Sequence, residues 1–412
     1  MSGPQSVVEG FRLLRQRDFS RLFAARAVSA FGTGMAFVAL PFAVLAVVGS
    51  DDPAPVGYVV ASATAAQLGF QLFAGALADR GSRQRMMVVG DALATASQAV
   101  LATVLLTGNA GVPLMMALAA FTGLGFALHW PASVGLVPLV VSRRDFVPAN
   151  ALLSVAVNSA SGLGAAVGGL LAATVGPGVA LALDAGTFAV SGALVWTLRP
   201  AAQPREASPG LWAELRAGWS EFTAHRWLWT IVLQFSIVVM GWQATYAVIG
   251  PIVADRTLAG ASDWGYISAG LGFGLVLGGL IAMRVRIERP MLVGSIGVLG
   301  LAFLPLLLIA PAPLGWIVFG TFVGGIGIEI FGVLWNTALH THVAPEMLSR
   351  VSAYDVVGSI ALAPVGEALA GPLVARVGTA PALEIAAVAI VAPTLLVLLV
   401  PEVRNLRSSS NG

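Results

Sequence analysis

Apolar residues run through this chain in long blocks separated by short polar stretches, and no block alternates with the period of two that a barrel strand needs. Twelve blocks can be drawn, at roughly residues 22–48, 56–78, 86–107, 112–140, 147–175, 178–198, 227–254, 263–284, 290–310, 313–340, 347–376 and 380–401. A helix needs about 20 apolar residues to cross the hydrocarbon of a bilayer. It also satisfies its own backbone polar groups there, which an open strand does not. Barrel strands would show as alternating segments of about 10 residues. The pattern therefore predicts an all-α polytopic membrane protein with twelve transmembrane helices.

Composition sharpens this. Of 412 residues, 57% are hydrophobic and 10% charged, and the mean hydropathy is +0.87; soluble domains carry about 25% charged residues. Residues 1–18 are polar and the first apolar block is too long for a cleavable signal, so no secretory signal is expected. Cysteine is absent, which excludes disulfides, thiolate metal sites and cysteine nucleophiles. Lysine is absent too, so Schiff-base chemistry has no donor. There is no nucleophile–base pair, metal-ligand cluster or P-loop. No enzyme, cofactor or metal is expected, and the net charge of +2 gives no footing for nucleic acid.

The arginines orient the spans. Nineteen of the 22 fall on one side of the predicted membrane, among them Arg12, Arg15, Arg17 and Arg21 before the first block and Arg80, Arg83, Arg85, Arg143 and Arg144 in later loops. Arg256 and Arg376 lie opposite, and Arg26 lies inside the first block. Positively charged loops stay cytoplasmic. An even number of spans then leaves both termini in the cytoplasm of a cell carrying this protein in its cytoplasmic membrane.

The chain also repeats itself. A shift of 202 carries Gly123, Gly125, Gly164, Gly169 and Gly176 onto Gly325, Gly327, Gly366, Gly371 and Gly378, and GGLLAATVG (168–176) onto AGPLVARVG (370–378). A shift of 204 carries GALADRGSRQRMMVVG (75–90) onto GLIAMRVRIERPMLVG (279–294), where Met283 replaces Asp79. Two pseudo-symmetric six-helix bundles follow, at 1–198 and 227–412, and transporters place their sites between such repeats. Between them, 199–226 reads as a cytoplasmic linker. Leu211, Trp212, Leu215, Trp219 and Phe222 stand at helical spacing in it, as in a helix lying on a membrane surface.

GALADRGSR (75–83) resembles the G-x-L-A-D-R-x-G-R signature of the major facilitator superfamily. Gly75, Leu77, Ala78, Asp79, Arg80 and Arg83 are in register, with Gly81 one place early and Ser82 in the glycine slot. SAFGTGMAFVALP (29–41), PASVGLVPLVVSRRDFVPANAL (131–152) and DAGTF (184–188) are similar to the branch that holds enterobactin exporters and macrolide efflux pumps. ASGLGAAVGG (160–169) resembles the antiporter motif of drug exporters, with Ala165 in place of its proline. The resemblance implies the major facilitator fold, alternating access and proton-coupled export of amphipathic small molecules such as drugs, macrolide-like compounds or siderophores. It assigns Asp79 to a cytoplasmic gate that docks on the N-terminal turn of the eleventh span. Arg80, Arg83, Arg85, Asp91, Arg350 and Asp355 are its expected neighbours. Helix N-termini favour a carboxylate by about 0.3–1 kcal/mol. Gly164, Gly168, Gly169, Gly366 and Gly371 are expected to let helices approach closely.

Ionisable residues within spans face the bundle interior or a cavity. Glu329, in GGIGIEIFG (324–332), is the first candidate for proton coupling, followed by Glu367 and His129. Asp184 and Glu384 stand near outer ends, where solvation or capping would employ them, and His340 and His342 read as surface residues. For the substrate cavity the candidates are Arg26, Phe37, Trp130, Trp242, Tyr246 and Trp335, with Phe331 beside them. Two other readings stay open. A sugar or carboxylate importer would want more buried polar residues than Gln67, Gln71, Asn158, Gln234, Gln243 and Asn336. A membrane sensor or enzyme finds no catalytic motif. Expected partners are a small-molecule substrate, protons and lipid, with a monomeric chain.

Overall fold

The computed structural model describes residues 10–80, 82–200, 211–285, 287–344 and 347–407; the side chains of Leu72, 75–80, 211–215, Ala217 and Ser349 lie outside the described set. The first six long helices are α1 (Arg17–Val48), α2 (Ala54–Arg80), α3 (Arg83–Leu106), α4 (Val112–Val140), α5 (Phe146–Thr174) and α6 (Pro177–Trp196). The second six are α7 (Arg226–Thr257), α8 (Ala261–Ala282), α9 (Pro290–Ile309), α10 (Leu314–His342), α11 (Leu348–Ile360 continued by Ala363–Val377) and α12 (Thr379–Val397). Among the described residues eleven helices are long and apolar enough to cross a membrane, and α2 adds 27 residues packed between α4 and α11. No strand occurs among the described residues.

Helix ends follow the apolar blocks to within a few residues, except that α1 begins at Arg17, five residues before its block. That polar first turn is held by Arg21, which lies 3.7 Å from Asp18 and donates to the Thr197 carbonyl at 2.9 Å. Three spans expected to be continuous are interrupted, each shortly before a proline. Ala244–Ile249 in α7 is a π-helical turn before Pro251. Leu299–Ala302 in α9 tightens to 3-10 geometry before Pro305. Helix α11 breaks at Ala361 and Leu362, ahead of Pro364. Proline lacks an N–H and its ring crowds the carbonyl four residues back, so the preceding turn rewinds.

Contacts made by glycines reproduce the sequence repeat. A Cβ on Gly164 of α5 would stand 2.0 Å from the Phe31 carbonyl oxygen of α1; on Gly366 of α11 it would stand 2.3 Å from the Met240 carbonyl of α7. Gly123 of α4 sits as tightly on the Ala63 carbonyl of α2, and Gly325 of α10 on the Leu271 carbonyl of α8. No side chain fits at such separations, so these helices touch backbone to backbone.

Buried side chains fall into three clusters, whose memberships describe the shape. One, around Leu13, Phe19, Met87, Leu136 and Leu153, belongs wholly to the first half. Another, around Trp227, Met291, Phe331 and Trp335, belongs to the second half together with Phe222 of the linker. The third draws on both, joining Val38, Val59 and Leu181 with Val248, Trp264 and Val374. The two halves are thus fused at one end and separate at the other. Arg12–Asp145 (2.7 Å), Arg226–Glu402 (3.5 Å) and His342 to the Arg407 carbonyl (3.1 Å) put both described ends of the chain at the separated end. At the fused, far end, the Ser50 hydroxyl donates to Asp255 at 2.8 Å and Arg256 donates to the Ser50 carbonyl.

The linker helix Leu211–Ala224 lies at the terminal end. Phe222 is buried, and Trp219 and Phe222 meet Tyr354 of α11 at ring distances of 5.4 and 5.9 Å.

Candidate functional site

Between the halves, open towards the terminal end, lies a cavity of about 770 Å³ walled by α5, α8 and α10. Its α8 face is apolar: Leu275, Val276, Leu280 and Met283, with Gly279. Opposite this stand two polar ladders. On α5, Asn150, Ser154 and Asn158 recur every four residues, one per turn. On α10 the sequence is Glu329, Asn336 and His340. Asn150 and Asn336 each spend a side-chain N–H on their own helix, donating to Phe146 and Gly332 carbonyls at 3.0 and 2.8 Å. Their side-chain carbonyls remain as acceptors.

Glu329 is half-buried in this wall, about 20 Å along α10 from His342 at the terminal end. Glycines shape its berth. A Cβ on Gly278 would lie 3.0 Å from the Glu329 Cβ, and one on Gly279 would lie 3.6 Å from Oε1. The carboxyl has no hydrogen bond or ion pair among the described residues. Arg26, half-buried on α1, has none either; the two do not pair. Arg26 is absent from the walls of this cavity.

Asn158 and Leu275 also line a second, narrow space of about 80 Å³ that continues inward, bounded by Gly34, Phe37, Ala165, Tyr246 and Ser268. Here the path closes. Phe37 from the first half stacks on Tyr246 from the second at 4.8 Å, and Trp242 stacks on the same ring at 5.0 Å. Three of the aromatic cavity candidates thus form a ceiling across the two halves.

The other two are elsewhere. Trp130 is 51% exposed and lines neither space. Trp335 is buried in the second half, stacked on Phe331 and donating from Nε1 to Asp355 at 2.8 Å. The expectation for Trp335 needs correcting, because its side chain packs into the interior of the second half. Phe331 likewise packs on Phe235 in the interior. His340 is exposed, as expected, and also stands on the cavity wall.

Three further buried acids have distinct settings. Asp91 of α3 meets His129 Nδ1 at 2.5 Å and accepts from Ser191 of α6 at 2.8 Å. His129 is therefore engaged inside the first bundle and lines neither space, and Asp91 belongs to this cluster. Asp184, expected near solvent, is fully buried and accepts from Gln98 at 2.8 Å. Glu367 of α11 is fully buried, with Oε1 accepting from Gln243 of α7 at 3.0 Å. Its Oε2 has no hydrogen-bond partner among the described residues.

The side chains of Gly75, Asp79 and Arg80 lie outside the described residues. Arg83 donates to the Gly135 carbonyl of α4 at 2.7 Å, Arg85 is exposed, and Arg350 approaches Met347 Sδ at 3.5 Å. Asp355 accepts from Trp335 and from Ser359, both of its own half. Gly168 backs onto Met35 of α1. Gly169 and Gly371 work between halves: a Cβ would stand 2.4 Å from the Ala261 carbonyl in the first case and 2.4 Å from the Pro53 carbonyl in the second.

Comparison with known proteins agrees with this architecture. A family profile described as transmembrane secretion effector matches residues 8–319. The chain is 27% identical over 371 residues to the multidrug efflux pump Tap of Mycolicibacterium fortuitum, covering 87% of this chain and 89% of that protein. It is 26% identical over 381 residues to the enterobactin exporter EntS of Escherichia coli O1:K1, covering 90% and 88%. The crystal structure of the nucleoside transporter NupG superposes with a TM-score of 0.70 at 14% identity, over 92% of this chain and 98% of that one. That last likeness is one of fold.

Proposed function

Given that the chain belongs to the transmembrane secretion effector family of major facilitator transporters, we propose that it exports amphipathic small molecules from the cytoplasm in exchange for protons. The observation that carries this reading is the cavity, apolar along α8, acceptor-rich along α5 and α10, with one unpartnered carboxyl at depth. A flat or elongated molecule with hydrogen-bond donors or a protonated amine on one edge suits such walls. Tap and EntS are named as exporters, which supports the direction. The arginine distribution supports cytoplasm at the open end, in the cytoplasmic membrane.

In this scheme Glu329 alternates between two partners in one place, a proton and a donor group of the substrate. Binding one displaces the other, and that competition is the coupling. Asp79 and the arginines of its loop hold the cytoplasmic side shut in the opposite state.

The test is transport of a fluorescent amphipathic amine dye into inverted proteoliposomes under an imposed proton gradient. Glu329→Gln should fold, abolish gradient-driven uptake and make dye binding independent of pH. Gradient-driven uptake at the wild-type rate in that variant overturns the assignment.

A further inference from the structure

Positions related by the repeat have matching surroundings at the far end. Gly265 of α8 presses on the Ala165 carbonyl of α5, with a Cβ placed at 2.9 Å; Gly57 of α2 presses on the Glu367 carbonyl of α11, at 2.4 Å. Beside Ala165 stands Gly34 of α1, whose Cβ would meet the Ala165 nitrogen at 3.0 Å. Beside Glu367 stands Gln243 of α7. The same joint is therefore built twice, once from alanine and glycine and once from glutamate and glutamine. Packing does not require the acid, because its twin closes without one.

The acid also sits in a joint that must part. Helices α2 and α11 belong to opposite halves, and Gly57, Gly371, Pro53 and Ala54 bring them backbone to backbone around Glu367. Alternating access separates the far end when the terminal end closes. Glu367 is then wetted from the far side, whereas in the present state it is fully buried. No cation accompanies it. Across the joint, α2 offers Thr64 and, further out, the exposed Tyr58. Helix α7 offers Gln243, with Tyr246 stacked between Phe37 and Trp242. Its Asp255 and Arg256 are turned to Ser50. The first part of α11 carries Asp355 bound to Trp335, and Arg350. Arg376 and Glu384 are exposed near the far end. None of these groups forms an ion pair with Glu367 among the described residues.

We propose that Glu367 is a proton-binding site built into the far-end seal: the seal closes over the neutral acid and is held open by the carboxylate. The proton comes from far-side water while α2 and α11 are apart, joining one carboxylate oxygen, and it returns there when the seal opens and the acid ionises. Burying an unpaired carboxylate is costly, while a neutral acid needs only hydrogen bonds. This deepens the proton-antiport reading and rests on it, by adding to the cavity carboxyl a second group that ties the conformational step to the proton.

The experiment reads the seal directly and needs no substrate. The chain has no cysteine, so one is placed at Ala61, on α2 between Gly57 and Thr64 and only 7% exposed. Its rate of labelling by an impermeant maleimide added on the far side is divided by that of a cysteine at exposed Asp51, which removes the intrinsic pH dependence of the thiol. For the otherwise wild-type protein the normalised rate should rise by about tenfold per pH unit across the transition, the limit for a single proton. Glu367→Gln should be slow and flat with pH. Glu367→Ala, which copies Ala165, should be flat too and guards against a glutamine-specific packing defect. A rate independent of pH in the wild type, or an unchanged slope in both Glu367 variants, overturns the proposal. Loss of coupled transport in Glu329→Gln is read separately in proteoliposomes, so the two assignments can fail independently.

Discussion

Replacing Gly371 by alanine should open the far end. In the present state the new Cβ would stand 2.4 Å from the Pro53 carbonyl oxygen, 2.7 Å from the Ala54 Cα and 3.0 Å from the Ala54 carbonyl oxygen. Ordinary contacts begin near 3.4 Å, so α2 and α11 must separate by about 1 Å, and the atoms in the way are backbone. Overpacking of this kind costs about 1–3 kcal/mol. Because the clash exists only while the far end is shut, the whole cost falls on one conformation. The equilibrium then shifts by about 5–150-fold. The assay is far-side maleimide labelling at Ala61→Cys, which should accelerate by that factor. Gly366→Ala is the matched control. Its Cβ meets the Met240 carbonyl at 2.3 Å within one half, in every state, so it should lower thermal stability in detergent and leave labelling unchanged. Equal labelling in Gly371→Ala and wild type, with both proteins folded, would refute the argument.

Gly169→Ala should act like Gly371→Ala, since its Cβ meets the Ala261 carbonyl at 2.4 Å across the equivalent joint of α5 and α8; the same labelling assay checks it. His129→Leu leaves the buried Asp91 with Ser191 alone and should cost about 1–3 kcal/mol, seen as a lower melting temperature without a change in substrate competition. Topology is tested with single cysteines at Asp51 and Glu402: an impermeant reagent outside intact cells should label the first and spare the second. Asp79→Asn should favour the state open at the terminal end, read as faster labelling of a cysteine at Asn336, and unchanged labelling would remove the latch.

Fold class was legible because its cause is crude. Long apolar blocks permit only spanning helices, and the glycine repeat appears in the structure as the paired contacts of Gly164 with Gly366 and Gly123 with Gly325. Facing was much less legible. A soluble helix advertises its buried side by periodicity, but here lipid-facing and packed sides are both apolar. Nothing in the pattern around Trp335 says which way it points, and it was misplaced for that reason. Polar residues do better. Asn150, Ser154 and Asn158 fall one turn apart, and Asn336 and His340 repeat the spacing on α10, a signal that could have marked the cavity walls. The breaks in α7, α9 and α11 come just before Pro251, Pro305 and Pro364, but Pro41, Pro131, Pro138, Pro372 and Pro393 sit inside unbroken helices, so proline alone did not mark them.

Symmetry supplies the remaining discrimination, because it separates what folding demands from what it does not. Both halves need small residues where α5 meets α1 and α8, and where α11 meets α7 and α2; those glycines recur and say little about chemistry. Differences between the copies are the informative positions. His129 and Phe331 occupy equivalent places, yet one is tied to Asp91 and the other stacked on Phe235, so each serves its own bundle. Glu367 differs from Ala165 without any local partner that would demand a charge. Glu329 differs in the same way, being unpartnered in a cavity wall to which α4, its counterpart helix, contributes nothing. Glu329 and Glu367 thus stand where the halves move against each other, while Asp91 and Asp184 are hydrogen-bonded inside the first half and Asp355 inside the second. On this argument the first half is the stable frame and the second carries the groups that respond to protons. It follows that exchanging Asp91 or Asp184 for asparagine should lower stability far more than it alters coupling, and exchanging Glu329 or Glu367 for glutamine should do the reverse. Melting temperature and proton-coupled uptake, measured on the same four proteins, decide it. A coupling loss confined to the first-half variants would invert the assignment.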